Sequence, residues 1–279
     1  MLKKQLIMDK ALELFARQGF KATSVQQITD HSGISKGAFY LSFKSKNELI
    51  FSIIDRFMKQ HITKLDYLVT SANSTSEIRD LLYNFYFTSY EIISENKNFA
   101  KFFMQEIQTF DEELIEKLSY YDTLQDKVIL KLIEKVYGDQ VDALKYDLLY
   151  CIKSFIGMYV ELILFKNIPL DIHYISKSLV EKTDILAKSM KLPLITGKHL
   201  HHLPLNDERL SIEYLISLIE EKIEETSDQL IKESLHLLKN DLEKDNLPSA
   251  IVKGLIENIR KDKNCEWLAY LLNEFFQFK

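Results

Sequence analysis

Glycine and proline are scarce here, 7 and 4 in 279 residues, and the first proline is Pro169. So few breakers exclude a turn-rich all-β fold. The abundance of Leu, Ile, Lys and Glu makes an all-α protein the expectation. Cysteine is nearly absent: Cys151 and Cys265 lie far apart, without a C-x-x-C pair. They read as buried thiols of a reducing compartment rather than a disulfide framework. No leader is expected either, because MLKKQLIMDK has lysines with no apolar run behind them. The most apolar stretch, residues 151–170, is interrupted by Lys153, Glu161 and Lys166 and is too charged to span a bilayer. These absences predict a cytoplasmic protein with no membrane partner.

Catalytic signatures are also lacking. The chain has no G-x-S-x-G, no Walker loop and no G-x-G-x-x-G, and Gly33 and Gly37 fit neither phosphate pattern. Glu233-x-x-His236 is a single E-x-x-H, whereas a di-iron bundle needs two with further carboxylates. His199, His201 and His202 cluster in a stretch with two prolines and read as incidental rather than as metal ligands. The expectation is a protein that is not an enzyme and carries no cofactor and no metal.

What is present is concentrated at the start. Residues 23–46, TSVQQITDHSGISKGAFYLSFKSK, read as two short helices around a tight glycine turn. Thr23 and Ser24 are N-cap types, Val25 and Ile28 form an apolar stripe, Gly33 supplies the turn, and Ser35 opens the second helix. A helix, a short turn with glycine and a second short helix is the helix-turn-helix pattern, whose second helix enters the major groove. In that groove Lys36 suits guanine O6 or N7, Gly37 allows close backbone approach, and Ala38 suits a thymine methyl. Phe39 and Phe43, four apart, hold the helix to its neighbour, and Lys44 suits a phosphate. The charge distribution agrees: the first 60 residues carry a net +5, and the whole chain −5.

An amphipathic helix precedes this unit over residues 3–18, with Leu6, Ile7, Ala11, Leu14 and Phe15 on one face and Gly19 ending it. After Phe43, a capping box of Ser45 and Glu48 starts a long helix reaching to about residue 68. With ALELFARQGF, T-S-V-x-x-I and SGISKGAFYLSFKSKNEL in this order, the first 55 residues or so resemble the N-terminal domain of the TetR/AcrR family of transcriptional regulators. Thr29 and Ser42 depart from that family's usual residues. The resemblance implies phosphate contacts from Tyr40, Lys46, Thr23, Ser24 and Ser35. It also implies a helical ligand-binding and dimerisation domain whose last two helices pair across a two-fold axis.

Further amphipathic helices are predicted over residues 75–96, 98–109, 111–137, 141–167 and 171–191. Residues 148–164 are apolar around more than one face, which suits burial on one side by a partner. Phe155, Tyr159 and Ile163 are the candidate dimer contacts. The middle of the chain is rich in aromatics, and Tyr83, Phe87, Tyr90, Phe102, Phe103 and Tyr121 are candidates for a pocket taking a lipophilic or aromatic effector. Residues 193–208 read as a linker, followed by four helices over 209–225, 228–244, 248–262 and 265–278. The expected division is a helix-turn-helix domain in 1–47, an effector and dimer domain in 48–192, and an additional helical region in 209–279. Together these predict a dimeric, ligand-responsive repressor on a near-palindromic double-stranded DNA operator, with an efflux or lipid-related operon as the family analogy. The rival reading is a helical protein-interaction module whose helix-turn-helix binds no specific DNA.

Overall fold

Short polar caps set where the helices begin. In the computed structural model, which describes residues 2–107, 110–166, 171–196 and 210–276, every described regular element is helical. The chain divides into two compact units, residues 1–200 and 201–279.

The first unit opens with α1 (Leu2–Gln18), α2 (Val25–Ser32) and α3 (Lys36–Tyr40). α1 buries Ile7, Ala11 and Phe15, while Leu6, expected on the same face, is exposed. Gly19 ends α1 at φ 85°, and a Cβ there would lie 2.9 Å from Glu106 Oε1. Glycine is therefore required twice, for the left-handed backbone and for the carboxylate that accepts from the Phe20 N–H. Ser24 caps α2 in a capping box with Gln27, and Gly33 closes it at φ 66°. Ser35 caps α3 through the Ala38 N–H. Each such cap contributes about 1 kcal/mol.

The long helix α4 (Lys46–Ser71) is capped by Ser45. The expected capping box is modified: Glu48 Oε2 accepts from the N–H of Lys44, at 2.6 Å, one residue before the cap. Then follow α5 (Thr75–Glu95), α6 (Lys97–Glu106), α7 (Glu112–Tyr137), a 3₁₀ turn (Gly138–Val141), α8 (Lys145–Phe165) and α9 (Ile172–Ser189). The sequence boundary expected after residue 47 does not interrupt the packing. Ile7, Phe15, Ile28, Phe39, Phe43 and Leu49 share one core with Phe99 and Phe102 of α6 and Leu114 of α7.

α4 and α7 run parallel in a fixed register. Asn47 Nδ2 donates to Asp111 at 3.2 Å, and Lys117 Nζ sits 4.2 Å from the Phe51 ring. Further along, Tyr121 donates to Asp55, and Lys131 pairs with Asp66 at 3.1 Å. At the far end Lys135 donates to the carbonyls of Thr70 and Ala72, at 3.1 and 2.9 Å, placing a cation on the negative end of α4. Because the partner's number rises in step along both helices, a shift of one turn would break every rung.

Contrary to the expectation that this stretch is too charged, α8 is long and apolar enough to cross a membrane by length and composition, because its charges lie near its ends apart from Lys153 and Glu161. Its Lys153, the interruption noted in the sequence, pairs with Asp122 at 2.7 Å and Asp126 at 2.5 Å, both on α7. Burial alone would lower the Lys153 pKa, but its hydrogen bonds to the two carboxylates prevail and raise it. Asp126 is held above the usual carboxylate range by burial, against the pull of Lys153.

His61 of α4 is buried, stacked on Phe57 with ring centroids 5.9 Å apart, and burial depresses its pKa to about 4. A neutral buried imidazole stabilises the fold fully above pH ~6.5, and the contribution is lost as pH falls toward 4. We expect wild-type stability to drop across that window by up to about 3 kcal/mol more than that of a His61→Leu variant. Urea unfolding at pH 7 and pH 4.5 measures this, and equal losses in both proteins would refute it.

The second unit is built from α10 (Ile212–Glu225), α11 (Gln229–Lys244), α12 (Ser249–Arg260) and α13 (Glu266–Phe276). Successive helices pack together, and α10 meets α13 to close the bundle around Leu215, Ile219, Leu235, Leu238, Ile256 and Tyr270. Asp228 caps α11, accepting from Leu230 and Ile231, and Pro248 stands just before α12. The linker expected at 193–208 lies largely outside the described residues, as do His199, His201 and His202.

Candidate nucleic-acid interface

α3 separates its side chains into an inner and an outer stripe. Phe39 and Phe43, four apart, are buried with ring centroids 5.9 Å from each other. They anchor the helix on α1, α2 and α4 through the shared core. Lys36, Gly37 and Tyr40 are exposed on the outside, and Ala38 is half-buried at the edge. Ser24, Ser35 and Lys44 are also exposed, although both serine hydroxyls already accept from a helix N–H as caps.

Two expected phosphate contacts need correction. Thr23 is 1% exposed; its hydroxyl donates to the Gly19 carbonyl at 2.8 Å and accepts from Gln18 at 3.1 Å. Its N–H is bonded to the Phe20 carbonyl, so neither group is presented outward. Lys46 is turned inward as well. Its ammonium donates to the carbonyls of Phe20 and Thr23, at 2.7 and 2.8 Å, and lies 4.3 Å from the Phe20 ring. Burial lowers its pKa, against an opposing pull from Glu106. Lys46 thus ties the start of α4 to the turn between α1 and α2.

One outward residue escaped the sequence reading. Leu41, directly after α3, is 91% exposed, and its N–H bonds to the Gly37 carbonyl. Position 41 continues the outer stripe of Gly37, one turn on. The signal was available: 37 and 41 bear the same spacing as the inner pair 39 and 43. Nothing in the fold demands glycine at 37, since an added Cβ would meet only Ser35 Oγ, at 3.8 Å. Glycine within a helix costs about 1 kcal/mol relative to alanine.

The six aromatics expected to share an effector pocket are dispersed. Tyr83 bonds His173 at 2.7 Å, and Phe87 lies against the same ring, on the α5–α9 side. Tyr90 is buried and donates to the Phe155 carbonyl of α8. Phe102 and Phe103 belong to the core under α1, and Tyr121 faces Asp55 of α4. A cleft of about 380 Å³ opens instead where α4 and α7 begin, lined by Phe20, Lys21, Asn47, Phe51, Phe110 and Lys117 among others. None of the six lines it.

The residues expected as dimer contacts differ in exposure from their neighbours on α8. Phe155, Tyr159 and Ile163 are half-buried, whereas Tyr150, Ser154 and Met158 form the exposed stripe of α8. Tyr174 and Ile185 are exposed on α9.

A three-helix head with a capped, glycine-turned second pair and an outward short helix defines a helix-turn-helix protein. Residues 7–53 match the family model of bacterial regulatory proteins, tetR family. The chain is similar to the HTH-type transcriptional regulator YuxN of Bacillus subtilis, with 28% identity over 98% of each chain. It is similar also to the regulator YerO of the same organism, with 25% identity over 99% of this chain and 96% of that one. Among solved structures, the fatty acid degradation regulator FadR of Bacillus halodurans shares the fold at a TM-score of 0.58 and 16% identity. That match covers 68% of this chain and 96% of FadR. The α10–α13 region thus belongs to what is shared with the two full-length Bacillus relatives.

Proposed function

We propose that the chain is a ligand-responsive, dimeric repressor that binds a near-palindromic operator through α3 and works in the cytoplasm. The observation that carries this reading is the outer face of α3, where Lys36, Gly37, Tyr40 and Leu41 stand exposed beside Lys44. The exposed stripes of α8 and α9 supply the two-fold interface, with Tyr150, Met158, Tyr174 and Ile185 in place of the half-buried Phe155, Tyr159 and Ile163. Two copies related in this way present two α3 helices to successive major-groove faces of one duplex.

The register between α4 and α7 supports the regulatory half of the reading. α4 carries Lys46 at its start, and Lys46 holds the turn before α2. A small, largely apolar effector that displaces α7 would therefore displace α4 and change the spacing of the two heads. The name of the FadR relative makes a lipid-related operon the favoured target class.

The test is polarisation titration of the full chain against DNA from its own promoter and unrelated DNA, at two salt concentrations. Tight, salt-sensitive binding that prefers the promoter, with two chains per duplex, is expected. Equal weak binding to both would favour the interaction-module reading.

A further inference from the structure

We propose that Leu41 is a specificity-determining residue that reads the C5-methyl of thymine in the operator, with Gly37 as the gap that admits the base edge. The inference rests on the DNA-binding reading above. Leu41 is the large apolar side chain with the greatest exposure among the described residues. It contributes nothing to the core, which Phe39 and Phe43 supply from the opposite side of the same turn. Leu192, nearly as exposed, lies in the irregular segment after α9, whereas Leu41 stands at the end of α3 between Tyr40 and Lys44.

Helical side chains lean toward the N-terminus, so residue 41 projects over the surface of residue 37. With no side chain at 37, the space beneath Leu41 is open from the backbone outward, and no fold constraint requires that opening. The major groove presents one apolar group, the thymine methyl, and an isobutyl group matches it. Ala38, the candidate from sequence, is half-buried at the edge of the helix and projects less far. The occupant is therefore a base pair with thymine on the strand facing α3, at one position in each half-site.

The experiment starts from a duplex enriched by the full chain from a random-sequence pool. Each thymine is replaced in turn by deoxyuridine, which removes only the methyl. At one symmetric pair we expect wild-type affinity to fall about fourfold per half-site, about fifteenfold for both, on the scale of one buried methyl group. Leu41→Ala should bind the thymine and uracil duplexes equally, with unchanged thermal stability because the side chain is exposed. Wild-type indifference to every replacement, or full sensitivity retained in Leu41→Ala, would overturn the proposal while leaving DNA recognition intact. Failure to enrich any sequence would overturn the DNA-binding reading itself, and the proposal with it.

Discussion

Replacing Lys153 with methionine is expected to destabilise the first unit by about 3–5 kcal/mol, the cost of stranding a buried charge. Methionine keeps the apolar stem but removes the cation from Asp126, which is about 2% exposed. Burial already holds Asp126 above the usual carboxylate range. Without Lys153 its pKa rises further, so the sign of the pH effect is fixed. A raised folded-state pKa makes the penalty largest at high pH, and it shrinks as pH falls and the carboxyl binds a proton. Pairing the change with Asp126→Leu should recover most of the loss, because a well-packed apolar pair often replaces a buried ion pair without penalty. Chemical unfolding followed by circular dichroism at pH 5 and pH 8 checks both statements. A loss below about 1 kcal/mol, independent of pH, would mean that α8 is not held in the bundle by this pair.

Lys46→Met carries the second large effect. The ammonium makes two charge-assisted bonds to main-chain carbonyls between α1 and α2. Losing them should cost about 2 kcal/mol, since the Thr23 carbonyl loses this donor in a half-buried site and the Phe20 carbonyl keeps only the Thr23 N–H. Lys36→Met, on the exposed face, should unfold with the wild type to within about 0.5 kcal/mol. Differential scanning calorimetry of the two variants separates anchoring from DNA contact. Matching transitions for both would return Lys46 to the surface role that the sequence suggested.

The contrast between these lysines shows where the sequence was legible. Caps and turns depend on neighbours within four residues, so Ser24, Gly33, Ser35 and Ser45 could be placed in advance. The helices after residue 75 were readable for the same reason, through periodicity and breaks such as Gly138. Lys46 was not, because its partners are carbonyls 26 and 23 residues earlier in the chain. The α4–α7 register is of the same kind, since Tyr121 and Asp55 are 66 residues apart.

Direction was a second blind spot. An aromatic count cannot say which way each ring faces, and Tyr83, Tyr90, Phe102 and Tyr121 point to four different neighbours. α8 is apolar on several sides, so only packing decides that Met158 is exposed and Phe155 half-buried. Leu6 failed likewise: expected on the α1 face of Ile7 and Phe15, it lies about 100° around the helix from Ile7, beyond the buried arc.

In the proposed function, the outer face of α3 reads sequence while Lys44 beside it supplies affinity. The most direct test is the ratio of operator to random-duplex affinity for Lys36→Ala and Lys44→Ala. Lys36→Ala should cut that ratio at least about tenfold, the loss of one base contact per half-site. Lys44→Ala should weaken both duplexes alike, leave the ratio unchanged and lower the salt dependence. Equal loss of preference in both variants, or none in either, would contradict this division between Lys36 and Lys44.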